Sequence, residues 1–198
     1  MPISSLKPQV SSSKYNMALL EIKKFGCPTL RKKGTPVSAV TDDIKELVDD
    51  MFETMYEAEG IGLAAQQVGF TERLLVLDVC PHEPTAEPLV VINPEILWSE
   101  GEFVGEEGCL SLSGISGEVK RPAQVRLRAL GLDGQSFEMN LDGIWAKALQ
   151  HEIDHLDGML VLERFSAIRR NLLRGQLRKL QKEGKNQAPG LTYVEKVG

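Results

Sequence analysis

The residue types and spacing that most directly allow chemistry lie in Gln150-His151-Glu152-Ile153-Asp154-His155. On a helix, His151 and His155 fall four residues apart, hence on one face and one turn apart. Two imidazoles stacked in this way grip one metal ion. Glu152 beside them is placed to handle the proton of a metal-bound water. That is the chemistry of hydrolysis. The pattern also fits an amphipathic helix with ordinary histidines. However, the chain has 3 His in all, and two of them fall here.

Catalytic centres of this kind use three protein ligands and keep one position open. The protease pattern with a third His six residues beyond the second meets Val161 here, which excludes it. Glu163 follows too closely to be that ligand, and Glu183 sits in a basic run. Cys109, in Glu106-Glu107-Gly108-Cys109-Leu110-Ser111, is the better candidate. Gly108 before it allows a close backbone approach. A thiolate with two imidazoles also forms a soft set that suits zinc or iron(II). Cys27 and Cys80 read instead as small buried hydrophobes. A further segment, Gly60-Ile61-Gly62-Leu63-Ala64-Ala65-Gln66-Gln67-Val68-Gly69, has residues too small to build a core. They suit a substrate backbone lying against the chain. No Gly-Lys-Ser/Thr follows, and the segment comes after a helix, so it is neither a phosphate loop nor a dinucleotide fingerprint.

These segments need a frame. Asp42 to Glu59 carries Ile44, Leu47, Val48, Met51 and Met55 at helical spacing, with Thr41 or Asp42 as its cap. Leu74 to Val79 reads as a strand. Leu89 to Ile92 and Glu95 to Trp98 read as strands on either side of Pro94, and Val119 to Leu130 alternates like one long strand. Leu132-Asp133-Gly134-Gln135 is a hairpin signal leading into Gln135 to Leu141. Asp142-Gly143 then opens the motif helix, where Ile144, Ala148 and His151 share a face, and a second helix is expected from about Ser166 to Lys182. Strands flanked by helices suggest α+β. The expectation is antiparallel or mixed sheets around a central helix that carries the His-Glu-x-x-His motif, followed by a C-terminal helix.

The three chemical segments, in this order, resemble peptide deformylase. That family is marked by Gly-x-Gly-x-Ala-Ala-x-Gln, Glu-Gly-Cys-Leu-Ser and His-Glu-x-x-His-Leu. Here these are Gly60 to Gln67, Glu107 to Ser111 and His151 to Leu156. The resemblance covers roughly residues 17 to 183. It implies removal of the N-formyl group from the N-terminal methionine of newly made proteins, with release of formate. Cys109, His151 and His155 would bind one divalent metal. Iron(II) is implied as native, and zinc, nickel and cobalt are alternatives. Glu152 would be the general base and acid, while Gln67 and the Leu110 N–H would hold the oxyanion. Arg121 would anchor the substrate backbone, and Gly60, Ile61, Gly62, Gly108, Ile144 and Ala148 would line its site. Lys147 departs from the apolar residues the family often has at that place. Its stem would line the pocket while its ammonium reaches water. Two other readings remain: a zinc endopeptidase with a different third ligand, and a non-catalytic peptide-binding module with a closed structural metal.

The chain has 198 residues, 42% hydrophobic and 26% charged, which points to one globular domain without an apolar run of membrane-spanning length. Residues 1–16 hold no acid and no hydrophobic block, so they read as a disordered extension rather than a secretory signal. Met17 is a candidate start. Residues 17–185 are expected to form the catalytic domain, and 186–198 a flexible tail. Three cysteines, an odd number, argue for a reducing cytosol over a disulfide framework. A bacterial-type cytoplasmic setting is expected, with an organellar one left open. Residues 164–185 hold Arg164, Arg169, Arg170, Arg174, Arg178, Lys179, Lys182 and Lys185 against Glu183 alone. This segment is therefore +7 in a chain of −5, leaving −12 elsewhere. Such asymmetry suits docking on a polyanion, and the resemblance implies the ribosome. Ile168, Leu172 and Leu173 are expected to pack that helix onto the body.

Overall fold

The computed structural model describes residues 19–188. The expected extension at 1–16 and the tail from 189 onward lie outside these residues.

Helix α1 (Asp42–Glu57) begins where Thr41 accepts a hydrogen bond from the Ile44 N–H. It leads to the short strand β1 (Gly62–Ala64) and to β2 (Leu74–Leu77). β2 is apolar throughout because both of its faces are covered. Leu74 and Val76 pack against α1 with Leu47, Met51 and Met55. Leu75 and Leu77 turn to the other face, where Leu149 and Leu156 of helix α2 (Gly143–Leu156) meet them.

The main sheet is antiparallel, in the order β1-β2-β3-β6-β7, with β3 at Leu89–Glu100, β6 at Gln124–Leu130 and β7 at Ser136–Asp142. A second, two-stranded antiparallel sheet joins β4 (Phe103–Gly108) to β5 (Ser116–Arg121). The architecture is α+β, with α2 laid against the sheet as expected.

The structure redraws several boundaries. The two strands expected around Pro94 are one strand, with the register shifted next to Asn93, whose φ of 53° is left-handed. A bulge there lets a residue without an N–H sit in the ladder. The single strand expected from Val119 to Leu130 is two strands in different sheets, separated at Pro122-Ala123. β4 has no alternating apolar pattern, because most of its side chains are exposed. The Leu132–Gln135 hairpin is present, with Gly134 at φ 76°.

The C-terminal helix is broken into α3 (Ala167–Leu172) and α4 (Arg174–Lys185). At the junction Leu173 drops into a cluster with Leu112, Val161 and Phe165. Ile168 and Leu172, expected to pack with it, are each 75% exposed. The break at Leu173 turns the short α3 so that this pair faces outward. Of the expected tail, Gln187 is tied back to the body: its side chain accepts from the Lys24 N–H and donates to Glu21.

Candidate metal centre and cleft

α2 runs Gly143–Leu156 and puts His151, Glu152 and His155 on its buried inner side. A 3-10 turn at Leu110–Leu112 follows β4 and brings Cys109 opposite them. One ligand atom from each of Cys109, His151 and His155 lies within 4.8 Å of the others. The Cys109 Sγ and His155 Nε2 are 3.2 Å apart. Two donors sharing a tetrahedral ion, each about 2.0–2.3 Å from it, stand at about that separation. A thiolate and two imidazoles converging inside the protein therefore fit one divalent ion.

His151 is oriented from behind. Its Nδ1 bonds Glu107 at 3.0 Å, which leaves Nε2 for the centre. Arg121 holds Glu107 in turn through two bonds, 2.6 and 2.9 Å, and also reaches Asp154 at 2.9 Å. Arg164 grips the same Asp154 at 2.6 Å. Burial alone would raise the Glu107 carboxyl, but bonds from His151 and Arg121 bring it down to about 2. Burial also opposes charge on His151, yet Cys109 and Glu107 hold its pKa well above the ordinary imidazole value. Burial and the His151 charge hold that of His155 well below.

Arg121 was expected to anchor substrate, and the structure corrects this. Its side chain is 2% exposed, committed to Glu107 and Asp154, and absent from the cleft wall. A guanidinium locked between two buried carboxylates has no face to offer a peptide. Its contacts orient Glu107, and through it His151, instead.

The other residues singled out in the sequence meet at one open cleft of about 780 Å³. Gly60, Ile61, Gly62, Gln67, Gly108, Leu110, Ile144 and Ala148 all line it, together with Cys109, His151 and Glu152. The Gln67 side-chain oxygen accepts from the Ala64 N–H, which turns its amide nitrogen toward the Cys109 Sγ at 3.6 Å. Glu152 is buried at the cleft floor, and its Oε2 has no hydrogen-bond partner among the described residues. Burial pushes its pKa up to about 7.

Two expectations about the glycine-rich segment change. A Cβ on Gly62 would lie 2.6 Å from Glu152 Oε1, and one on Gly60 2.9 Å from Leu110. Their missing side chains make room for those two residues as well as for a ligand. Ala64 and Ala65, taken as too small for a core, are fully buried in the two main clusters. Lys24, His82, Glu106 and Ser116 also line the cleft. None belongs to the three family motifs: Lys24 and His82 come from an N-terminal segment and a loop, and Glu106 and Ser116 from the two strands β4 and β5 that only the fold brings near. Glu107 stood inside a motif, yet nothing in the sequence pointed to its bond with His151.

Fold and centre together define a class: a metal-dependent hydrolase, with a buried carboxyl beside a three-ligand site at the floor of an open cleft. The family model of polypeptide deformylases matches residues 19–171. A peptide deformylase of Alkalilimnicola ehrlichii is 47% identical, over 89% of this chain and 98% of its own length. One from Thermodesulfovibrio yellowstonii is 49% identical over 80% and 96%. A solved peptide deformylase from Legionella pneumophila superposes with a TM-score of 0.77 at 38% identity, over 86% of this chain and all of its own. The chain belongs to the peptide deformylase family. It is a hydrolase that removes the N-formyl group from the terminal methionine of new proteins.

Proposed function

We propose the following division of labour for that reaction. Cys109, His151 and His155 would hold one divalent ion, iron(II) in the native protein, which would supply Lewis acidity for the attack of water. The negative thiolate of Cys109 moderates that acidity. Glu152 takes the proton of the attacking water and passes it to the leaving amine as the formyl C–N bond breaks. Gln67, through its amide nitrogen, and the Leu110 N–H donate to the oxygen that gains charge. The Leu110 N–H opens a helical turn, where backbone donors have no helical partner. A peptide lies extended along Gly60–Gly62 as an added strand, with its first side chain toward Ile61, Ile144 and Ala148.

The observation that carries this reading is Glu152: a buried carboxyl at the cleft floor, raised to about 7, beside the three converging ligand atoms. A formyl carbon bears only hydrogen, so a cramped floor admits it and rejects a longer acyl group. The test is mass analysis of a formyl-Met peptide after incubation with metal-loaded protein. Loss of the formyl group alone, with every peptide bond intact, supports the reading. Internal cleavage would instead favour an endopeptidase.

Two finer points belong to the same reading. No helix among the described residues is long and apolar enough to cross a membrane, which agrees with work in the bacterial-type cytoplasm. The basic α3–α4 segment docks on ribosomal RNA through Arg170, Arg174, Arg178, Lys179, Lys182 and Lys185, all exposed. Such docking is weak and salt-sensitive.

A further inference from the structure

We propose that Lys147 makes this cleft select formylated peptides with an acidic third residue. The inference rests on the reading above and deepens it. Lys147 lines the cleft from α2, one turn before His151. On the helical wheel it sits at the edge of the face formed by Ile144, Ala148 and His151. Its side chain reaches across to β4, where the ammonium donates to the Glu106 carbonyl at 2.6 Å. It also stands 5.8 Å from the centre of the Phe103 ring. Gly105 permits this arrangement, since a Cβ there would lie 2.7 Å from the ring. The charge is thus held at a fixed place on the wall.

That charge has no salt-bridge partner among the described residues. Among the described residues no carboxylate pairs with Lys147, or with Lys24, the other ammonium lining the cleft. Lys24 bonds the Leu110 carbonyl and the Ser113 hydroxyl instead. Glu59 and Glu106 also line the cleft but form no salt bridge with Lys147; Glu106 accepts from the Ser116 hydroxyl, and Glu107 is turned inward to Arg121 and His151. An ammonium bonded only to a carbonyl keeps donors for a ligand carboxylate.

Strand geometry assigns the ligand residue. Side chains of an extended peptide alternate, so residue three returns to the side of residue one about 7 Å further along. Residue one faces Ile144 and Ala148, near the reacting group. The Lys147 ammonium, held at the Glu106 carbonyl, stands three strand residues from Cys109, about 10 Å from the reacting end of the cleft. The third side chain is therefore the one that meets it.

The experiment compares formyl-Met-Ala-Glu, formyl-Met-Ala-Ala and formyl-Met-Ala-Lys, all C-terminally amidated, as substrates of the iron-loaded full chain. At low salt the wild type should favour the Glu peptide over the Lys peptide by about fivefold in kcat/KM, through KM, as a largely exposed charge pair allows. The ratio should fall to about one in Lys147→Met and invert in Lys147→Glu. The Ala peptide serves as the reference within each variant, so the ratio is independent of how much active protein each yields. A wild-type ratio of one, or an unchanged ratio in Lys147→Met, would overturn the inference. A charge preference seen only at residue two would overturn the placement. No formate from the Ala peptide with wild type would strike the underlying reading and this inference with it; formate without charge preference strikes this inference alone.

Discussion

Glu152 has one carboxylate oxygen without a hydrogen-bond partner among the described residues, a costly arrangement unless a water or ion meets it there. The same holds for His155 Nδ1. At this scale the placement of these residues was legible in the sequence, because helical spacing fixes which side chains share a face. Cys109, His151, His155, Glu152 and Gln67 converge as their motifs required. Arg121 shows the limit: an arginine near a motif reads equally as a substrate anchor or an internal ion partner, and only burial separates the two. Cys109→Ala should lose tight metal binding, since two imidazoles under-coordinate the ion, whereas Cys27→Ala and Cys80→Ala should keep it. Metal analysis of the three purified variants decides this, and a fully metallated Cys109→Ala would sink the ligand assignment. Gln67→Ala should keep its metal and lose about 100- to 1,000-fold in kcat, the usual cost of one oxyanion donor; a normal kcat would remove it from that role.

Among the elements, the strands and helices that carry periodic apolar residues were readable, and those that do not were missed. β4 is polar because one of its faces is open to solvent, yet it positions Glu107 and Cys109. The break at Leu173 was hidden because Ile168, Leu172 and Leu173 read as one continuous apolar stripe, while the fold buries Leu173 alone. Arg121 now links three elements: β5, which carries it; β4, through Glu107; and α2, through Asp154. Removing one partner from a buried ion network leaves stranded charge, so Arg121→Met should cost about 3–5 kcal/mol. Chemical denaturation measures this, and a loss under about 1 kcal/mol would mean the network contributes little. The network also has a pH signature. Glu107 has a folded pKa lowered from 4.5 to about 2, so its contribution is present above the unfolded value and is lost as pH falls through that window. The wild type should therefore lose stability more steeply than Arg121→Met on acidification between those values.

For the whole molecule, charge is divided: +7 over residues 164–185 against −12 elsewhere. Truncating the chain after Ala167 is not a clean test of what that division does. It would remove Leu173 from the core and Gly184, where a Cβ would lie 2.3 Å from the Lys24 carbonyl. Substituting the exposed Arg170, Arg174 and Arg178 with Glu leaves those contacts in place. Ribosome co-sedimentation at low salt should then fall sharply while turnover of free formyl peptides persists; undiminished co-sedimentation would discard ribosome docking by this surface. The central claim, that this cleft deformylates peptides through Glu152 beside a metal held by Cys109, His151 and His155, has a more direct test. Formate release from formyl-Met-Ala-Ser is measured for anaerobically prepared, iron-loaded wild type and Glu152→Ala, with metal content determined in both samples. The account predicts release by wild type and a loss of at least about 100-fold in Glu152→Ala at equal metal content. Equal rates from the two proteins, or no formate from metallated wild type, would contradict it.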